Sequence, residues 1–211
     1  MLSPERADAL FAALAAEFTD RKTTAEARVA AWKWGTRLWF DSRPLYFERQ
    51  NDRPGRILKK PPTKTHDRVE VGFDADGEVV VVREHTEIGP YETFHCRRGS
   101  IRESARYHFY ANAPINILCV SGPAVQPSLS DLVAEQGWVH EEYVWRDECL
   151  AEARVSYTPR VAGHYLTLQP LHVAVAEYVR GQLQRVELHW PPLPPGRPEP
   201  VVEIAYLRAD A

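Results

Sequence analysis

Ile101-Arg102-Glu103-Ser104-Ala105-Arg106-Tyr107-His108-Phe109 decides the fold class. Ile101, Ala105, Tyr107 and Phe109 share one parity, and Arg102, Ser104, Arg106 and His108 share the other. A period of two with one apolar and one polar side is the mark of a strand in an antiparallel sheet with one wet face. The same alternation returns on both sides of this stretch. Val69, Val71 and Phe73 alternate with Arg68, Glu70 and Gly72. Cys149, Ala151, Ala153, Val155 and Tyr157 alternate with Leu150, Glu152, Arg154 and Ser156.

Turn chemistry falls between these runs. Asp74-Ala75-Asp76-Gly77, Arg98-Gly99, Arg180-Gly181 and Asp52-Arg53-Pro54-Gly55 each read as a hairpin connection. The last of these predicts a hairpin from Tyr46–Gln50 to Arg56–Lys60. Ser130 to Gly137 reads as a short helix with a Ser cap and a terminal Gly. The proline run over 191–198 is expected to be a surface loop, followed by a final strand, Val201 to Leu207.

Before Gly35 the period is helical. Ser3 is an N-cap, Pro4 fits the first helical position, and Leu10, Phe11, Leu14 and Phe18 form one apolar stripe. Thr23-Thr24-Ala25-Glu26 offers a capping box for a second helix through Trp32 and Trp34 to Gly35. The expectation is α+β, mainly antiparallel β: an N-terminal helical pair (1–35) packed on a long, curved meander (36–211), open and barrel-like or a sandwich, as one folding unit.

Several hairpins share a form: an aromatic, a polar turn with Gly, then an apolar residue two positions beyond. Phe47…Gly55-Arg56-Ile57, Phe73…Gly77-Glu78-Val79, Phe94…Gly99-Ser100-Ile101 and Tyr178…Gly181-Gln182-Leu183 fit it, and Tyr143…Leu150 is a copy without Gly. This pattern resembles the YD repeats of RHS-type proteins. The resemblance implies successive β-hairpins and no chemistry, and any β-meander produces a similar pattern.

Composition narrows the function. The 211 residues carry a net charge of −3, which argues against a globally basic nucleic-acid binder. No apolar run approaches the roughly 20 residues of a membrane-spanning helix. Arg outnumbers Lys 21 to 5, which reads as a GC-rich coding genome or as a surface for carboxylate and other anion recognition. Cys96, Cys119 and Cys149 match no zinc spacing, and the N-terminus lacks a signal peptide, so a cytoplasmic protein is expected.

Catalytic signatures are missing from the motifs. His95-Cys96 lies on opposite strand faces, and His140 with Glu142 supplies two ligands where a zinc site needs three or four, so neither metal nor cofactor is expected. No Gly-x-Ser-x-Gly elbow and no glycine-rich phosphate loop occurs. The charge is segregated: residues 43–68 sum to +5 and residues 131–152 to −6. The bland reading is two solvated faces paired with each other. The functional one is a polarised surface facing another protein.

Arg102, Arg106, His108 and Tyr110 share parity and form the candidate binding face. The expected function is a non-catalytic protein-binding module of immunity or adaptor type, its partner a toxin or a complex subunit. One alternative is a small-ligand or lipid-binding curved sheet. Another is a hydrolase or nuclease assembled from His95, His108, His140, Glu142 and Arg106 across strands.

Overall fold

A computed structural model describes residues 3–110, 112–166, 169–191 and 201–208. The chain starts with one long helix, α1 (Pro4–Ala27), then β1 (Ala31–Gly35) and a four-residue helix, α2 (Tyr46–Arg49). Strands follow: β2 (Arg68–Phe73), β3 (Val79–His85), β4 (Pro90–Arg98), β5 (Ile101–Tyr107), β6 (Pro114–Ser121), β7 (Leu129–Ala134), β8 (Gly137–Arg146) and β9 (Cys149–Val161). The short β10 (His164–Tyr165), then β11 (Gln169–Val179), β12 (Gln182–His189) and β13 (Val202–Leu207) complete the order. Every strand pairs with its sequence neighbour and every pairing is antiparallel, except that β10 folds back on β9 off the main path, leaving β11 beside β9. The sheet does not close: β1 and β13 are its two edges. The α+β meander read from the alternation is what forms.

Three local expectations are corrected. The helical pair is a single helix. Ser3 caps it, accepting from the Arg6 N–H at 3.3 Å, but the Thr23–Glu26 capping box lies inside α1, and Trp32 and Trp34 stand on β1. There the two indoles lie over the Arg83 guanidinium and the His85 ring of β3. Bulky aromatics pack readily on a pleated surface, and this outweighs the local cap signal. Ser130–Gly137 is no helix: residues 129–134 are β7, and Ser130 bonds the Tyr143 hydroxyl at 2.8 Å instead of capping. Tyr46–Gln50 is no strand; Tyr46–Arg49 is α2, and Ile57 of the expected partner strand makes an isolated bridge to Gly35 at the end of β1 instead. The proline loop falls almost wholly outside the described residues.

The strand parities sort the core into two layers. Phe94, Ala105, Ile117, Val133 and Trp138 are successive cross-strand partners on one face, all buried, and α1 lies on them with Leu14 and Phe18. Each of the larger side chains in this row contributes roughly 2 kcal/mol through burial. The opposite face is filled by an excursion of the chain, residues 36–58, which we call the plug. Leu38, Trp39 and Phe40 pack on Val69, Val71 and Val82 of β2 and β3, whereas Leu45 packs in the cluster of β8, β9, β11, β12 and β13, and α2 touches β12 and β13. One short excursion reaches both ends of the sheet only because that face is concave.

The neck of the plug is closed by backbone bonds: Thr36 N–H to Arg56 O, Gly55 N–H to Leu38 O and Leu58 N–H to Trp34 O. Gly55 is required there, since a Cβ would sit 2.0 Å from the Arg37 carbonyl oxygen.

Candidate functional site

The expected face on β5 divides. Arg102 and Arg106 both point to the plug face, with Arg106 bonded to Glu84 at 3.0 Å and stacked on Tyr91. Arg102 stands directly opposite Arg97 of β4. Burial and the Arg97 charge lower its affinity for a proton, and Glu78 acts the other way. His108 and Tyr110 lie beyond the strand, in the β5–β6 turn, where His108 Nδ1 accepts the Tyr110 N–H at 3.0 Å. Tyr110 is 74% exposed. The four residues therefore do not form one continuous surface.

The dispersed histidines do not meet either. His140 faces the helix side and His95 the plug side, as their strand registers require. His140 Nδ1 bonds Asp131 at 2.6 Å, the Trp138 indole N–H donates to the same carboxylate oxygen at 2.9 Å, and Glu142 lies 3.5 Å from Nε2. Burial opposes charge on His140, but Asp131 and Glu142 outweigh it and raise its pKa. The pair has the polarity of a general-base dyad. Its ring is only 2% exposed, however, and in this geometry it ties β7 to β8. His95 bonds Ser104 at 2.8 Å, and burial pushes it down to about 4 despite the nearby Asp41 carboxylate. The three cysteines are free thiols, and burial pushes Cys119 up to about 12. No cluster of three or more potential metal ligands occurs among the described residues. Among the described residues, no helix is long and apolar enough to cross a membrane.

The segregated charge proves more informative. The two blocks touch through a buried pair, Arg49 of α2 and Glu141 of β8, at 2.8 Å. Tyr143 donates to Glu141 at 2.6 Å, Ser130 bonds Tyr143, and Arg49 also donates to the Pro44 carbonyl. Burial raises the Glu141 pKa, but Arg49, Tyr143 and Arg43 pull it below the ordinary carboxylate range. The opposed blocks of sequence charge were the signal for this contact, but nothing local pointed to the Arg49–Glu141 pairing itself.

Five further cations of the basic block stay outside. Arg53, Arg56, Lys59, Lys60 and Lys64 are all exposed, and among the described residues none makes an ion pair. They lie along a strap over residues 53–64 that carries Pro54, Pro61 and Pro62 and is tied to the end of β1 at Arg56 and Leu58. This row of unpaired cations is the candidate interface. A separate groove of about 460 Å³ opens between the plug and the turns facing it, lined by Arg43, Leu45, Trp145, Leu150 and Tyr178 among others. Arg43 is committed there to Asp41 at 2.9 Å and to the Tyr46 ring.

No protein-family description, curated protein or solved structure matches the chain.

Proposed function

We propose that the protein is a non-catalytic binding module of immunity or adaptor type that captures an acidic protein through the strap over residues 53–64. The observation that carries this reading is the set of five exposed cations that make no ion pair among the described residues, on a segment tied to the sheet at Arg56, Ile57 and Leu58. Pinning lowers the entropy cost of binding, and a one-sign surface speeds encounter with an oppositely charged partner. Arginine and lysine left unpaired at a surface are free to meet carboxylates without first breaking an internal bond.

The test is fluorescence anisotropy with a labelled Glu-rich peptide, at about 50 and about 300 mM salt. Binding should weaken with salt, and replacing Arg53, Arg56, Lys59, Lys60 and Lys64 by Gln should weaken it about tenfold or more. Affinity unchanged by that replacement removes the strap as the site. Equal or tighter binding to a single-stranded oligonucleotide of the same charge replaces the protein partner with a nucleic acid.

The groove beside Trp145 and Tyr178 supports a second reading, a small ligand with an apolar body and a polar end. Native mass spectrometry of the purified protein checks it through a bound mass that Trp145→Ala removes.

A further inference from the structure

The two edges of the sheet are treated differently. At β1 the plug neck runs alongside: Ile57 bridges Gly35, Leu58 bonds Trp34, and Lys33 and three nearby prolines discourage further pairing. At β13, among the described residues, only β12 is paired, and the other side of the strand carries no such guard. Val202, Ile204 and Leu207 are 49%, 49% and 63% exposed, and β13 contains neither Lys nor Pro. Long apolar edges of this kind pair with another strand.

The hydrogen bonding of β13 shows which residues face outward. Trp190 donates to the Val201 carbonyl and Arg208 donates to the Gln184 carbonyl, so Val201 and Arg208 direct backbone groups toward β12. The bulge opposite Val186–Glu187 shifts the register by one residue between them. Counting along the ladder, Glu203 and Tyr206 also bond inward, and Val202, Ile204 and Leu207 present their backbone groups outward. Their side chains share the sheet face of Arg185, Glu187 and His189, the residues opposite them on β12. Glu203 and Arg208 lie on the other face, where the Arg208 guanidinium also donates to the Gln182 side-chain oxygen of its own chain.

This pattern is self-complementary. In an antiparallel pairing about a two-fold axis between Ala205 and Tyr206, Ile204 stands opposite Leu207 of the second copy, and both are outward-bonding positions. The same register sets Glu203 opposite the second copy's Arg208, twice over. A register centred on Glu203 would instead set the two Glu203 carboxylates against each other. Apolar pairs on one face and opposite charges on the other select a single register. We infer that β13 joins β13 of a second copy of this chain, continuing the sheet through a two-fold interface.

Sedimentation velocity and light scattering on the full chain test this, with circular dichroism as the check on folding. The wild type should be a dimer. Ile204→Lys should be a folded monomer. Glu203→Arg should lose the dimer, because Arg then faces Arg, and Glu203→Arg with Arg208→Glu should restore it, because the charges are exchanged symmetrically. A monomeric wild type overturns the inference and leaves the edge to a different chain. A dimer that survives Ile204→Lys places the contact elsewhere and also overturns it. Gln replacement of the strap cations should leave the dimer intact, which separates this result from the fate of the proposed acidic-partner interface.

Discussion

The two faces of the sheet are covered by opposite means. The helix face is closed by one regular element whose apolar stripe meets a smooth row of cross-strand partners, with the Tyr107 hydroxyl bonded to the Leu14 carbonyl at 3.0 Å. Polar ties run along its flank, where Arg21 reaches Glu103 and Lys22 reaches Glu92. The plug face is closed by an irregular segment that inserts a fully buried ion pair and its hydrogen-bond chain between apolar clusters. Helices satisfy their own backbone and need only shape to dock, whereas a loop has unsatisfied groups and needs directed bonds to hold one position. His140 and His95 follow the same division: Asp131 and Glu142 favour the protonated form of His140 on the helix side, and burial disfavours that of His95 on the plug side.

The largest effect should come from breaking the directed lock. Arg49→Ala leaves Glu141 buried without its cation and should cost about 3–5 kcal/mol in urea unfolding. Arg49→Met with Glu141→Gln should recover much of that loss, because no naked charge remains. If the single variant costs no more than a surface substitution, the plug is not held by this pair. On the helix face, Leu14→Ala should cost about 3 kcal/mol through a cavity, and no second substitution of a charge should relieve it.

A smaller contrast lies in pH. The raised His140 pKa means that its stabilisation is complete below about 6.5 and is lost as pH rises through the folded value. The lowered His95 value means that its stabilisation is complete above about 6.5 and is lost as pH falls toward about 4. His140→Gln should therefore flatten the alkaline limb of the urea midpoint against pH, and His95→Gln the acid limb. Both variants altering the same limb would abolish the distinction between the faces. The smallest effect is Tyr107→Phe, about 1 kcal/mol for one buried hydrogen bond, measured by the same unfolding curves.

The hairpins at Asp74–Gly77, Arg98–Gly99 and Arg180–Gly181 were legible because turn chemistry and a period of two are local signals. Residues 129–134 were not, since Ser130, Asp131 and Val133 are buried on both faces and destroy the alternation. An aspartate in mid-strand makes sense only with Trp138 and His140 beside it, and these come from the next strand. Arg102 and Arg106 could be placed on one face from parity alone. That Glu84 occupies Arg106 depends on β3 lying two strands away in the sheet, which no local pattern states. The charge blocks were visible as sums, but which cation would be buried and which left outside was decided by the neck at Gly55.

The position of α1 in the chain has a consequence for how the molecule is made. The helix precedes every strand of the sheet, yet the surfaces it covers extend to β10, and its Asp8 is joined to Arg160 across 152 residues. Hairpins can zip one after another from neighbouring segments, while the helix must wait for strands not yet synthesised. Until then its apolar stripe is open to chaperones and to other nascent chains, so the helix exists before every strand that will shelter it.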